Sequence, residues 1–277
     1  MNQNPFSFYD FLGYLIPGAV LLYIVTFVFG VDDIVTKLSL DDVSNSTASQ
    51  LLSFIPAVIC SYLLGHALAI GSSALIEAFT NYSNGYPSEF LFGVKPKFYL
   101  SSDTFGGQIG RIVLWFLILP ISLFKLVLKD TLKIKMFNQA KSLPRPLREA
   151  VFNKCTSVLS ENIKVDTSKI KLERGIDGDY LRLLYHFVFE NSERHSGKLQ
   201  NYVALYGLTR NVSFVFILLF WGAVYSYFFE SQLNIRLVHI FSFAMLAYIF
   251  YIGFVKFYRR YSLETVMAAS VFSKRDG

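Results

Sequence analysis

The chain alternates long, uncharged apolar runs with stretches that hold most of its charge. Four runs approach or exceed the roughly 20 helical residues that a bilayer core about 30 Å thick requires. They are residues 11–30, 51–76, 212–229 and 237–255. The last two are joined by the short polar stretch 230–236, which predicts a helical hairpin. A fifth run, 112–124, is shorter, is interrupted by Pro120 and is flanked by Arg111 and Lys125. An interfacial or re-entrant helix near 112–128 accounts for it better than a crossing does. The expected fold is an all-α membrane protein, with four transmembrane helices, an interfacial helix and a helical cytoplasmic segment.

The first run lies within FYDFLGYLIPGAVLLYIVTF, residues 8–27. A cleavable signal has basic residues before its apolar core and a small-residue cleavage site after it. No Lys or Arg precedes this run and no such site ends it, so it is expected to stay attached as an anchor. Asp10 is placed to cap a helix beginning near Phe11. Pro17-Gly18 predicts a kink whose freed carbonyl a neighbouring helix must satisfy.

These runs divide the chain into an N-terminal hairpin of two spans (1–76), a cytoplasmic segment (77–210), a C-terminal hairpin (211–257) and a cytoplasmic tail (258–277). Orientation follows the Lys and Arg beside the spans. The loop 31–50 sets Asp32, Asp33, Asp41 and Asp42 against Lys37 alone. Lys95, Lys97, Arg194, Lys198 and Arg210 flank the middle segment, and Lys256, Arg259 and Arg260 follow the last span. Both termini and residues 77–210 are therefore expected on the cytoplasmic side. Reporters fused after Lys37 and after Lys141 should report opposite sides of the membrane; the same side for both would refute this topology.

Within the middle segment the pattern predicts three helices. One runs over 147–160, with Val151, Cys155, Val158 and Leu159 near one face. The second is DGDYLRLLYHFVFENSER, started by Asp177 or Asp179 and apolar enough to be buried or paired. The third begins near Ser196 and carries Leu199, Tyr202, Val203 and Tyr206 directly into the third span. KIKLE, residues 169–173, reads as one short strand.

Composition agrees with a membrane protein that keeps a water-exposed part: 53% hydrophobic, 17% charged, mean hydropathy +0.42. Soluble domains carry about 25% charged residues. The net charge is +6, and its distribution matters more than its size. Between residues 111 and 174, thirteen Lys and Arg stand against five acids. Such residues hold anionic lipid headgroups at a cytoplasmic face. Alternatively Lys133, Lys135, Lys141, Arg145 and Arg148 form a site that neutralises successive phosphates of a nucleotide or short oligonucleotide.

No nucleotide-binding, hydrolase or zinc-protease motif occurs, and His66, His186, His195 and His239 stand apart without metal spacing. Cys60 and Cys155 suggest neither a disulfide nor a zinc site. An enzyme is not expected, nor is a metal or other cofactor. Inside the second span Ala57, Ser61, Gly65, Ala69 and Ser73 recur every fourth residue. Small residues at this spacing let helix backbones approach closely, within one chain or between copies. His66 lies beside this stripe, as a core histidine or a pore position.

FYDFLGYLIPG, together with ALYGLTRNVSF leading into the third span, resembles bacterial membrane proteins of anti-phage defence loci. The overall plan looks like that of the channel-forming effectors of Hailong-type systems. The resemblance implies a tetrameric ion channel of the bacterial inner membrane, controlled by a nucleotide oligomer that a partner nucleotidyltransferase makes. The resulting expectation is an oligomer that permeabilises the lipid bilayer when a cytoplasmic signal changes. The alternative is a non-conducting membrane scaffold that recruits a soluble partner protein. A transporter is disfavoured because no inverted repeat is evident.

Overall fold

A computed structural model describes residues 7–29, 54–102, 104–134, 140–229 and 235–272. All regular structure among them is helical, and four helices are long and apolar enough to cross a membrane. The loop 31–50 and Lys135 lie outside the described residues.

Helix α1 (residues 8–29) starts three residues before the expected Phe11. Ser7 is the cap: its Oγ accepts from the Asp10 amide at 3.1 Å, and the Asp10 carboxylate accepts from the Ser7 amide at 2.9 Å. This reciprocal pair satisfies two donors at once, which a lone Asp10 cap would not. A π-turn at Phe11–Leu15 precedes Pro17. Pro17 has no N–H to offer the Gly13 carbonyl four residues back, and the Asn211 Nδ2 donates to that carbonyl at 2.6 Å. The neighbouring helix thus satisfies the carbonyl that the proline leaves free.

Helix α2 (residues 55–84) is widened by a π-turn at Ser73–Glu77 and ends at Gly85, whose φ of +77° suits glycine. A short helix α3 (Pro87–Phe90) follows. Helices α4 (Phe105–Leu117) and α5 (Leu119–Thr131) meet at an 89° bend just before Pro120. The carbonyls freed there are satisfied: Trp221 Nε1 donates to Leu117 at 2.8 Å, and Ser122 Oγ donates to Trp115 at 2.9 Å. Lys129 Nζ donates to Asn84 at 3.0 Å, and the buried Lys125 ammonium lies 5.1 Å from the Phe79 ring centroid. Both lysines fasten α5 to the end of α2. Phe105, Ile109, Ile112, Val113 and Phe116 of α4 remain exposed.

The predicted helix at 147–160 is α6 (residues 145–162), with Val151, Cys155, Val158 and Leu159 all buried. Burial without a charged partner pushes the Cys155 thiol up to about 12, and its Sγ donates to the Val266 carbonyl at 3.4 Å. Cys155 packs as a small apolar side chain. The KIKLE strand does not form: residues 169–173 make a turn and enter a 3-10 helix at Leu172–Arg174. One strand without a pairing partner leaves its ladder unmade; just beyond the 3-10 helix, the Ile176 amide donates to the Ser88 carbonyl at 3.1 Å. Helix α7 (Gly178–Asn191) is capped by Asp177, whose carboxylate accepts from the Asp179 amide at 3.0 Å.

Two long helices organise the rest: α8 (Glu193–Phe229) and α9 (Leu237–Ser270). At 1.5 Å per residue they are about 55 and 50 Å long, well beyond a bilayer core of about 30 Å. Val212, Val215 and Ile217 of α8 and Ala247, Tyr251 and Phe254 of α9 belong to one core, shared with Leu68, Ile76 and Ile118. Leu199 of α8 and Val266 and Ala269 of α9 belong to a second core, with Cys155, Leu159, Leu184 and Val188 of α6 and α7. Residues 258–270, expected as a tail, therefore continue α9 and line a second helical head.

Candidate functional site

The two sequence motifs quoted above meet in space, where the end of α2 packs against the stretch of α8 that links its two cores. Arg210 of α8 is 7% exposed and pairs with Glu77 at the end of the α2 π-turn. Its Nη1 also donates to the Tyr206 hydroxyl at 2.8 Å, and that hydroxyl donates to Glu77 Oε2 at 2.8 Å. The guanidinium carbon lies 5.1 Å from the Tyr206 ring centroid. Next to this triad, Asn211 accepts from Ser72 Oγ while it donates to Gly13. Tyr9 of α1 packs on Gly207, where a β-carbon would sit 3.0 Å from its ring. One polar node thus joins α1, α2 and α8.

Arginine suits this position because its planar fork serves two acceptors at once. Removing two charges from water costs several kcal/mol each, so the pair is retained only with its additional hydrogen bonds in place. Arg210 and Glu77 each mark the edge of an apolar run in the sequence, and nothing there shows that they face one another.

Ser61 and Gly65 pack within the chain, against α1. A β-carbon on Gly65 would lie 2.0 Å from the Tyr14 carbonyl oxygen, and one on Gly18 would lie 1.8 Å from that of Ser61. Ser73, at the far end of the stripe, is exposed, and its hydroxyl lies 3.4 Å from Glu77 Oε2. His66 is half-buried between two tyrosines, stacked on Tyr14 at 3.9 Å and edge-on to Tyr62 at 4.6 Å.

The predicted basic cluster is only partly assembled. Arg145 and Arg148 line one shallow cavity of about 660 Å³ with Lys95, and Glu149 and Glu173 share the wall. Arg145 pairs with Glu149 at 3.4 Å, while Arg148 covers Gly93 and donates to the Leu143 carbonyl at 3.1 Å. The Arg148 Nε is buried with no hydrogen-bond partner among the described residues. Lys133 follows α5 in a left-handed conformation, and the Lys141 carbonyl accepts from Arg259 at 2.8 Å. Neither lysine lines the cavity.

A second cavity of about 640 Å³ opens between α3, α7 and the head-side turns of α8 and α9. Glu77 and Tyr206 of the node form part of its wall. No group of three His, Cys, Asp or Glu side chains fit to hold a metal occurs among the described residues. Comparisons of the chain with protein families, with curated proteins and with solved structures find no match.

Proposed function

We propose that this chain is an oligomeric effector of the bacterial inner membrane that permeabilises the bilayer under control of a cytoplasmic signal. The observation that carries this reading is the continuity of α8 and α9, each of which lines both the apolar bundle and the helical head. A shift of α6 or α7 in the head moves the same two rods that fill the bundle, and the Arg210–Glu77 pair ties α8 to the end of α2 between the two cores. Helix pairs of this kind change by discrete shifts because packed cores do not deform continuously. The 77–210 segment then faces the cytoplasm, and α4–α5 forms a re-entrant element. The exposed apolar face of α4 and the satisfied carbonyls at the bend support that placement.

Lys95, Arg145 and Arg148 are the cations that support a phosphate-bearing signal, and the resemblance adds its setting in anti-phage defence. The test is ion flux through liposomes holding the purified full chain, with and without short oligonucleotides. Flux that changes on adding oligonucleotide is expected. Val203→Pro, between the head and the node, removes a helix hydrogen bond and costs about 3 kcal/mol or more. It is expected to leave oligonucleotide binding intact while abolishing the flux response. No flux in any condition would remove the channel and leave the scaffold that recruits a soluble partner.

A further inference from the structure

We infer that the 640 Å³ cavity beside the node binds an organic ammonium cation. Its size lies within the range of small-molecule sites, about 300–1,000 Å³. Five tyrosines line it: Tyr86, Tyr185, Tyr206, Tyr258 and Tyr261. They stand partly as two packed pairs, Tyr206 with Tyr258 at 5.2 Å and Tyr185 with Tyr261 at 5.3 Å between ring centroids. Aromatic faces attract ammonium groups through the ring quadrupole. Burial raises the Tyr185 phenol, so that ring stays uncharged at neutral pH.

The charge on the wall has the matching sign. Glu77, Glu89, Asp177 and Asp179 line the cavity against one guanidinium, Arg182. Arg210 behind Glu77 and the α7 N-terminus, worth about half a positive charge, offset part of this and leave the balance negative. The cavity thus opposes the sign of the whole chain, which carries +6. Glu89 and Asp177 each use carboxylate oxygens to cap a helix, Glu89 accepting from the Tyr86 amide at 3.3 Å. Those caps hold the carboxylates in place, and an ionised carboxylate accepts more than one hydrogen bond. The Asp179–Arg182 pair is 3.9 Å apart with both side chains largely exposed, so a bound cation displaces it at little cost.

An ammonium group reaches this cavity either on a soluble polyamine or on the headgroup of an amine lipid, since the cavity adjoins the node where the spans end. Calorimetric titration of the full chain in phospholipid-free detergent distinguishes the two. Putrescine is expected to bind saturably and to weaken with salt, whereas butanediol, of similar shape and no charge, is expected not to bind. Glu89→Gln keeps an acceptor for the α3 cap and is expected to weaken putrescine about tenfold, equivalent to ~1.4 kcal/mol. Phosphatidylethanolamine added to the micelles displaces putrescine if the headgroup is the natural occupant, and leaves binding unchanged if a soluble amine is. The site is refuted if neither amine binds, if butanediol binds as well as putrescine, or if folded Glu89→Gln binds like the wild type. None of these readings depends on ion flux, so a failed channel leaves the site intact.

Discussion

Replacing Glu77 with alanine is expected to destabilise the protein by about 3–5 kcal/mol, because it strands the buried Arg210 charge without its carboxylate. Arg210 is 7% and Glu77 22% exposed at the side chain, so water replaces the lost partner poorly. At 2–4 °C per kcal/mol this corresponds to a melting temperature lower by on the order of 10 °C for the detergent-solubilised chain. The double variant Glu77→Leu with Arg210→Met removes both charges and is expected to recover much of the loss, since apolar replacement of a whole buried pair is often neutral. If Glu77→Ala melts like the wild type, the node carries no mechanical load and the proposed linkage between head and bundle loses its support.

Gly65→Leu is expected to have the next largest effect. A β-carbon there meets the Tyr14 backbone, with its oxygen at 2.0 Å and its Cα at 2.8 Å, and backbone cannot swing aside as a side chain can. Overpacking in a yielding core costs about 1–3 kcal/mol; this contact exceeds that because α1 and α2 must separate along their length. Gly18→Leu strikes the Ser61 carbonyl from the other helix and is expected to behave alike. Gly106→Ala and Gly110→Ala, where a β-carbon meets nothing within 4 Å, serve as neutral or slightly stabilising controls. Melting temperature and oligomer size are read together. If Gly65→Leu melts like the wild type and changes only oligomer size, the small-residue stripe faces a second copy and its packing on α1 is wrong.

The four helices of membrane-spanning length and the three middle-segment helices were legible in the sequence for a local reason. Apolar run length and 3.6-residue periodicity are properties of consecutive residues, and burial of Val151, Cys155, Val158 and Leu159 follows from their shared face. The need to repair the carbonyl before Pro17 was equally local, because proline lacks a donor wherever it stands. Which group repairs it was not: Asn211 lies 198 positions away. Glu77 and Arg210 lie 133 positions apart, and each looks in isolation like the polar edge of an apolar run. Residues 258–270 carry enough polar side chains to read as a tail, and become core only because α6 and α7 pack on Val266 and Ala269. Arg145 and Arg148 share a cavity because they are three apart on one helix, whereas Lys133 and Lys141 lie outside that helix and do not line it. The sequence by itself determined which segments are helical and which helices are long and apolar enough to cross a membrane, since both depend on transfer and hydrogen-bond energies of neighbouring residues. Tertiary structure alone decided which charges meet and where the tyrosine-lined cavity opens, because partner choice depends on packing between helices far apart in the chain.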